Sequence, residues 1–220
     1  MVEVLIVGQL STNCYLFYDP KTRESFVIDP GDDAEYIINK ITDLGLKPEA
    51  IIATHGHFDH ILAVTELKLA YNIPFYTHRG DIAIVNRMQN TAKYFTGIET
   101  DPAPKINRTF SDGSILKAGN LTLKVIHTPG HTSGSVCLYS SFDHQPVKGE
   151  PAEQENIVFT GDTIFFDGNY GRTDLIGGDA KKLKESILKI LSLPENTLIY
   201  SGHGDKTSVK KEKRFYRFLS

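Results

Sequence analysis

The stretch Thr54-His55-Gly56-His57-Phe58-Asp59-His60 constrains this chain more than any other. It places three imidazoles and one carboxylate within six positions, in a protein with eight histidines among 220 residues. Chance composition produces His-x-His-x-Asp-His on the order of once in a thousand such chains. Imidazole and carboxylate are ligands of borderline divalent metals such as zinc. In extended backbone His55 and His57, two apart, face the same side and can reach one cation. Asp59 and His60 are adjacent, so they diverge and could serve a second. The apolar run Ala50-Ile51-Ile52-Ala53 before them reads as a buried strand. The cluster therefore lies where a strand stops and a helix begins, a usual place for a site. Mere decoration of a turn would give no packing reason for three closely spaced imidazoles.

Three later positions repeat that pattern of a strand followed by a metal-competent residue. His131 follows Val125-Ile126-His127-Thr128-Pro129-Gly130, Asp162 follows Ile157-Val158-Phe159-Thr160-Gly161, and His203 follows Leu198-Ile199-Tyr200-Ser201-Gly202. Glycine lets each segment turn tightly enough to bring its side chain to a shared rim. Each is a weak signal alone; their order after the first cluster is a strong one.

The rest of the chain supplies a scaffold. Val2–Val7, Cys14–Tyr18 and Ser25–Asp29 read as an antiparallel meander. Asp32 with Glu35 resembles a capping box, followed by a stripe of Ile37, Ile38, Ile41 and Leu44 that stops at Gly45. A second helix is expected over Leu62 to Tyr71, with Leu62, Thr65 and Leu69 toward the core, and a short strand over Pro74–Thr77. Residues 87–107 read as irregular, either a lid or binding loop or a partly helical cover. Strands return at Ser114–Leu116, Leu121–Ile126 and Ser135–Tyr139. The polar residues 141–156 read as a hairpin loop outside the chemistry. Strand Ile157–Thr160, a helix opening near Asp179, strand Thr197–Tyr200 and a basic helical tail with Phe215, Phe218 and Leu219 on one side complete the pattern. Two runs of strands, each followed by helices, point to an α+β or layered αββα body that looks like a duplicated half.

Composition narrows the function. A net charge of −3 gives no general case for nucleic acid or a membrane surface as partner. The apolar start, Met1 to Gln9, lacks a basic lead and carries Glu3, so it reads as a strand and not a signal peptide. Cys14 and Cys137 make no disulfide framework and read as small buried residues, with a cytoplasmic location the default.

Taken together, Asn13-Cys14-Tyr15-Leu16, Asp29-Pro30-Gly31, Thr54 to His60, Thr128 to Thr132, Gly161-Asp162-Thr163 and Gly202-His203-Gly204 resemble the metallo-β-lactamase fold family. Within it, Gly171-Arg172-Thr173-Asp174 and Gly177-Gly178-Asp179 look most like the glyoxalase II-like single-domain hydrolases. The likeness covers nearly the whole chain and implies one domain over 1–220, a four-layer αββα sandwich with its site at one edge of the two sheets. It implies His55, His57 and His131 on a first metal, Asp59, His60 and His203 on a second, and Asp162 bridging both. The expected cofactors are two Zn2+ ions, with iron or manganese compatible. Asp162 argues against a true β-lactamase, where a different residue type is usual. His78, His127 and His144 match no motif position; of these, His127 is the candidate for supporting a ligand.

The implied reaction is hydrolysis of a small-molecule thioester such as a hydroxyacyl-glutathione, by attack of a metal-bridging hydroxide, with Asp59 and Asp162 central to the catalytic centre. No strong general acid stands out beyond the ligands, and a thiolate can leave without one. The chain departs from glyoxalase II proper. It ends about fifteen residues after His203, too soon for the helical domain that binds glutathione there, and Gly204-Asp205 replaces a tyrosine-bearing sequence. Arg172 could pair with a substrate carboxylate or tie down its own loop. Lys206, Lys210, Lys211, Lys213, Arg214 and Arg217 form a basic tail, read as a solvated face. The main alternative is a persulfide dioxygenase of the same fold, with one iron on His55, His57 and His131 or on a set including Asp162. A nuclease and a non-catalytic metal-binding protein are weaker readings.

Overall fold

The computed structural model describes residues 1–141 and 156–216. β1 (Val2–Val7), β2 (Thr12–Tyr18) and β3 (Glu24–Ile28) form the expected antiparallel meander. α1 (Ala34–Asp43) leads to β4 (Lys47–Ile52), α2 (Val64–Tyr71) to β5 (Phe75–His78), and α3 (Ile82–Val85) and α4 (Met88–Thr96) to β6 (Arg108–Phe110). β3 to β6 run parallel, so the first sheet is mixed, in order β1-β2-β3-β4-β5-β6. The second half builds the other mixed sheet from β7 (Ile115–Ala118), β8 (Leu121–His127), β9 (Val136–Ser141), β10 (Asn156–Gly161), β11 (Leu198–Ser201) and β12 (Thr207–Ser208). α5 (Ala180–Leu191) and α6 (Val209–Glu212) follow its later strands.

Three apolar interfaces define four layers. All seven residues of β2 are buried, and they alternate. Cys14 and Leu16 face α1, α2 and α4 with Ile37, Ile41, Leu67 and Met88, while Tyr15 and Phe17 face the second sheet with Leu138 and Phe159. A strand covered on both sides needs an unbroken apolar run, which this segment has. On the far side Cys137, Val158 and Ile199 pack against Leu183, Ile187 and Ile190 of α5. The fold is the expected αββα sandwich.

Several local expectations are corrected. No capping box forms at α1: Asp33 is the cap residue at φ +53, and its carboxylate accepts from Gly8 N at 2.8 Å. In α2 the buried face is Val64 and Leu67, and Leu69 is 81% exposed. The helix begins two residues later than expected, and that shift rotates its apolar stripe. Residues 88–96 form α4, which buries Met88 and Ala92 and covers the core, so the helical cover holds there and the open lid does not. Among the described residues of the tail there is one short helix, α6, and Phe215 is half exposed. The expected hairpin loop and His144 lie outside the described residues apart from Ser141 and Asn156, which end β9 and open β10. Arg217, Phe218 and Leu219 lie outside them as well. Among the described residues no helix is long and apolar enough to cross a membrane.

Candidate metal centre

The seven predicted ligands come together at one edge of the sandwich, each just past the C-terminal end of a strand. His55 to His60 follow β4, His131 follows β8, Asp162 follows β10 and His203 follows β11. Backbone contacts join the sheets there. Val136 N donates to Thr54 O at 2.9 Å and Asn13 N to Gly202 O at 2.8 Å. The Asn13 side chain donates to Ser201 O and Gly204 O, which holds the His203 turn against β2. Close approach requires glycine at two points. A Cβ on Gly161, at φ +46, would meet Thr54 Oγ1 at 2.2 Å, and one on Gly202 would meet Asp162 Oδ1 at 2.2 Å.

Three imidazole nitrogens converge first. His55 Nε2 lies 3.1 Å from His57 Nδ1 and 3.2 Å from His131 Nε2, and His57 Nδ1 lies 2.9 Å from His131 Nε2. The surrounding bonds set the tautomers. His131 Nδ1 donates to Arg172 O at 2.8 Å, so its Nε2 is a lone pair. Thr54 Oγ1 donates to Asp29 Oδ2 at 2.7 Å and so accepts from His55 Nδ1, leaving His55 Nε2 a lone pair as well. Two acceptors facing each other at this range repel unless a cation lies between them. A tetrahedral ion with nitrogens at ~2.0–2.1 Å separates its ligand atoms by about 3.3 Å, close to what is seen here.

A second set adjoins the first. His60 Nε2 lies 3.7 Å from Asp59 Oδ2 and 3.4 Å from Asp162 Oδ1. His203 Nε2 lies 3.4 Å from Asp59 Oδ2, and its Nδ1 faces Leu10 O at 3.1 Å. Asp162 Oδ2 lies 3.4 Å from His131 Nε2, so this carboxylate reaches both sets. His60 Nδ1 stands 3.1 Å from Asp29 Oδ2, an ionic contact outside hydrogen-bond geometry. Buried His60 Nδ1 and Nε2 and Asp162 Oδ1 have no hydrogen-bond partner. Orphaned buried polar atoms on side chains with the chemistry of metal ligands fit a pair of divalent cations. Three triads can each hold an ion: His55-His57-His131, His55-His60-Asp162 and Asp59-His60-His203.

Electrostatics agree with the donor set. Burial, then the neighbouring His60 and His131, depresses His55 well below the usual imidazole range. Burial and His131 bring His57 down to about 4. Both are therefore neutral, the ligating form, at pH 7. Burial opposes ionisation of Asp162, but His60, His131 and His55 outweigh it and hold the carboxyl well below its usual range. Burial likewise opposes the charged form of His60, and Asp59, Asp29 and Asp162 outweigh it, raising this imidazole. A cation bound by His60 would displace that proton.

Sequence reasoning missed Asp81. Its buried carboxylate accepts from Gly56 N at 2.8 Å, Gly134 N at 2.6 Å and Thr132 Oγ1 at 2.7 Å. It ties the loop of His55 and His57 to the loop of His131. Its signal was present, since Asp81 also follows a strand, β5, by three residues. Asp29 and Thr12 were likewise not singled out as site residues. Asp29 accepts from Thr54 N and Oγ1, and Thr12 Oγ1 donates to Asp59 Oδ2 at 3.4 Å. Arg172 lies on the His131 side of the site, its guanidinium bound in two-point fashion to Asp174 at 2.7 and 2.6 Å. His127 touches no ligand. It stacks on His78, with ring centroids 4.3 Å apart, and its Nε2 lies 3.0 Å from Ser133 O.

Fold and centre together define a protein of the metallo-hydrolase type, and the chain belongs to the metallo-β-lactamase superfamily, whose model matches residues 7–144. It is 32% identical to hydroxyacylglutathione hydrolase GloC of Haemophilus influenzae, over all of this chain and 98% of that protein. Among solved structures it is similar to the B3 metallo-β-lactamase BLEG-1, at 35% identity, full coverage of both chains and a TM-score of 0.86. It is also similar to TTHA1623 in a di-iron-bound form, at 33% identity, 98% and 99% coverage and a TM-score of 0.82.

Proposed function

We propose that this chain is a binuclear metal-dependent hydrolase of thioesters, with hydroxyacyl-glutathione the leading substrate class. The observation that carries the reading is the convergence of seven ligand side chains into two adjoining sets that share Asp162. In this reading His55, His57 and His131 would hold one ion and Asp59, His60 and His203 the other, with Asp162 within reach of both sets. Two bound cations supply a water ionised near neutral pH and a Lewis acid for an acyl oxygen. The chain's own residues hold that arrangement. The carbonyls of Arg172 and Leu10 orient His131 and His203. Asp81 locks two ligand loops together, and a cavity opens beside Asp59.

The leaving group favours a thioester. Among the described residues the cavity that opens beside Asp59 is lined by no histidine, lysine, tyrosine or cysteine, and the acids it does offer are carboxyl groups, a type mostly deprotonated at neutral pH and so a weak proton source for an amine. A thiolate, with a thiol pKa near ~8.5, departs without such help. The name of the Haemophilus relative supports the same class. An iron dioxygenase acting on persulfides is the second reading. Iron as the metal is supported by the form of a structural neighbour that holds two irons, where this reading uses one, and by a donor set that suits iron as well as zinc.

The test is steady-state turnover of S-D-lactoylglutathione and a small neutral thioester by purified protein of assayed metal content. A cephalosporin and, for the iron-loaded form, oxygen uptake with a persulfide are run alongside. Thioester turnover in the common ~1–10³ s⁻¹ range upholds the proposal. Thioester inactivity of metal-replete protein rejects it, and oxygen uptake would then install the second reading.

A further inference from the structure

A cavity of about 330 Å3 shares Asp59 and Thr12 with the candidate centre. Its walls have two characters. Leu10, Phe58 and Ile98 give an apolar surface, and Phe95 extends it by stacking on Phe58 at 6.1 Å and 13°. Asp32, Glu66 and Asp101 add carboxylates, and none of the three forms an ion pair among the described residues. Glu99, also at the wall, is neutralised by Lys93 at 2.7 Å. Among the described residues no lysine, arginine or histidine lines the cavity. The carboxylates alone would describe only a solvated rim. The apolar floor and the wall shared with Asp59 make this a compartment of the site itself.

We infer that this cavity receives one arm of the substrate, and that the arm is apolar and uncharged or amine-bearing, never carboxylate-rich. The inference rests on the hydrolase reading and narrows its substrate. Like charges gathered around one cavity disfavour an incoming anion, by a screened amount where the carboxylates, as at Glu66 and Asp101, face solvent. A glutathione moiety, with two carboxylates and one amine, is thereby kept out of this cavity and confined to the Arg172 side. The selected arm is either the acyl group or the thiol portion, and substrates varied on one arm at a time separate the two.

The test has a binding part and a kinetic part, both on zinc-loaded protein. Methyl NMR shifts of Leu10, Leu62 and Ile98 are followed during titration with hexyltrimethylammonium and with hexanesulfonate, two poor metal ligands of equal chain length. The cation is expected to saturate the shifts at a concentration about tenfold lower, and the gap should close in the double variant Glu66→Lys/Asp101→Lys and shrink with added salt. Equal or tighter binding of the sulfonate overturns the inference. This outcome does not depend on turnover, so failure of the thioester reading stays distinguishable from failure of the cavity reading. In kinetics, S-butanoyl is compared with S-succinyl N-acetylcysteamine for the acyl arm, and lactoyl thioesters of cysteamine and glutathione for the thiol arm. One series should prefer its carboxylate-poor member by about tenfold in kcat/KM, with the preference reduced in the double variant and retained in Glu185→Lys on the exposed face of α5. Preferences untouched by the double variant in both series would refute the assignment.

Discussion

His131 Nδ1 lies 2.8 Å from the carbonyl oxygen of Arg172, forty-one residues away in sequence. The bond fixes the tautomer that turns the Nε2 lone pair toward His55 and His57. Arg172 thus acts on the centre through its backbone, while its guanidinium is occupied by Asp174. The side chain and the main chain of this residue are therefore separable by mutation.

Arg172→Ala is expected to leave metal content and Tm at the wild-type level. An increase in KM confined to carboxylate-bearing thioesters would show that the guanidinium exchanges Asp174 for substrate. Unchanged KM across neutral and anionic substrates would leave it the loop tie alone.

Asp162→Asn removes the one carboxylate that reaches both ligand sets. Turnover is expected to fall by more than ~100-fold, beyond what is typical for supporting residues. Metal analysis should show loss of part of the bound metal, with far-UV circular dichroism retained. Wild-type activity in this variant would eliminate a bridging role. His57→Ala is expected to behave similarly.

Asp81→Ala deprives two buried N–H groups and the Thr132 hydroxyl of their shared acceptor. A stability loss of about 3 kcal/mol or more is expected from urea unfolding. Metal affinity should drop too, because two ligand loops lose their tie. Asp81→Asn should be only a partial remedy, since its amide nitrogen cannot accept.

Burial pushes the Cys137 thiol up to about 11, and burial followed by the charge of Asp29 raises Cys14 well above its usual range. Thiolate is the reactive form, so neither should react with a disulfide reagent at pH 8 in the folded protein. Denaturation should release two titratable thiols. Rapid labelling of the native protein would contradict the packing described for β2 and β9.

Chelation offers a further check on the centre. A cation bound by the folded ligand sets and not by the unfolded chain stabilises the fold, so removing metal should lower Tm and zinc should restore it. A Tm indifferent to chelator and metal would count against the centre as described.

The candidate ligands were legible because metal chemistry uses few side-chain types and because a strand end followed by His or Asp is a local pattern. The alternation within β2 was legible for a similar reason. Other features were not. Leu69 looks like a core residue by spacing, but the phase of α2 depends on where the chain leaves the His60 turn. Asp33 gives up the usual capping role because Gly8, from the first strand's turn, supplies its partner. Met88 and Ala92 are buried because α4 meets a sheet that residues 87–107 by themselves do not specify.

By itself the sequence determined the layered α+β architecture, the family and the seven candidate ligands, since these follow from periodicity and from side-chain chemistry read in short windows. Only the tertiary structure decided which imidazole nitrogens face inward, that Asp81 locks the ligand loops together, that the Arg172 carbonyl orients His131, and that an apolar, acid-lined cavity adjoins Asp59. Each of those depends on groups twenty-five or more residues apart meeting within a few ångströms, and such meetings are set by packing of the two sheets, which no local pattern encodes.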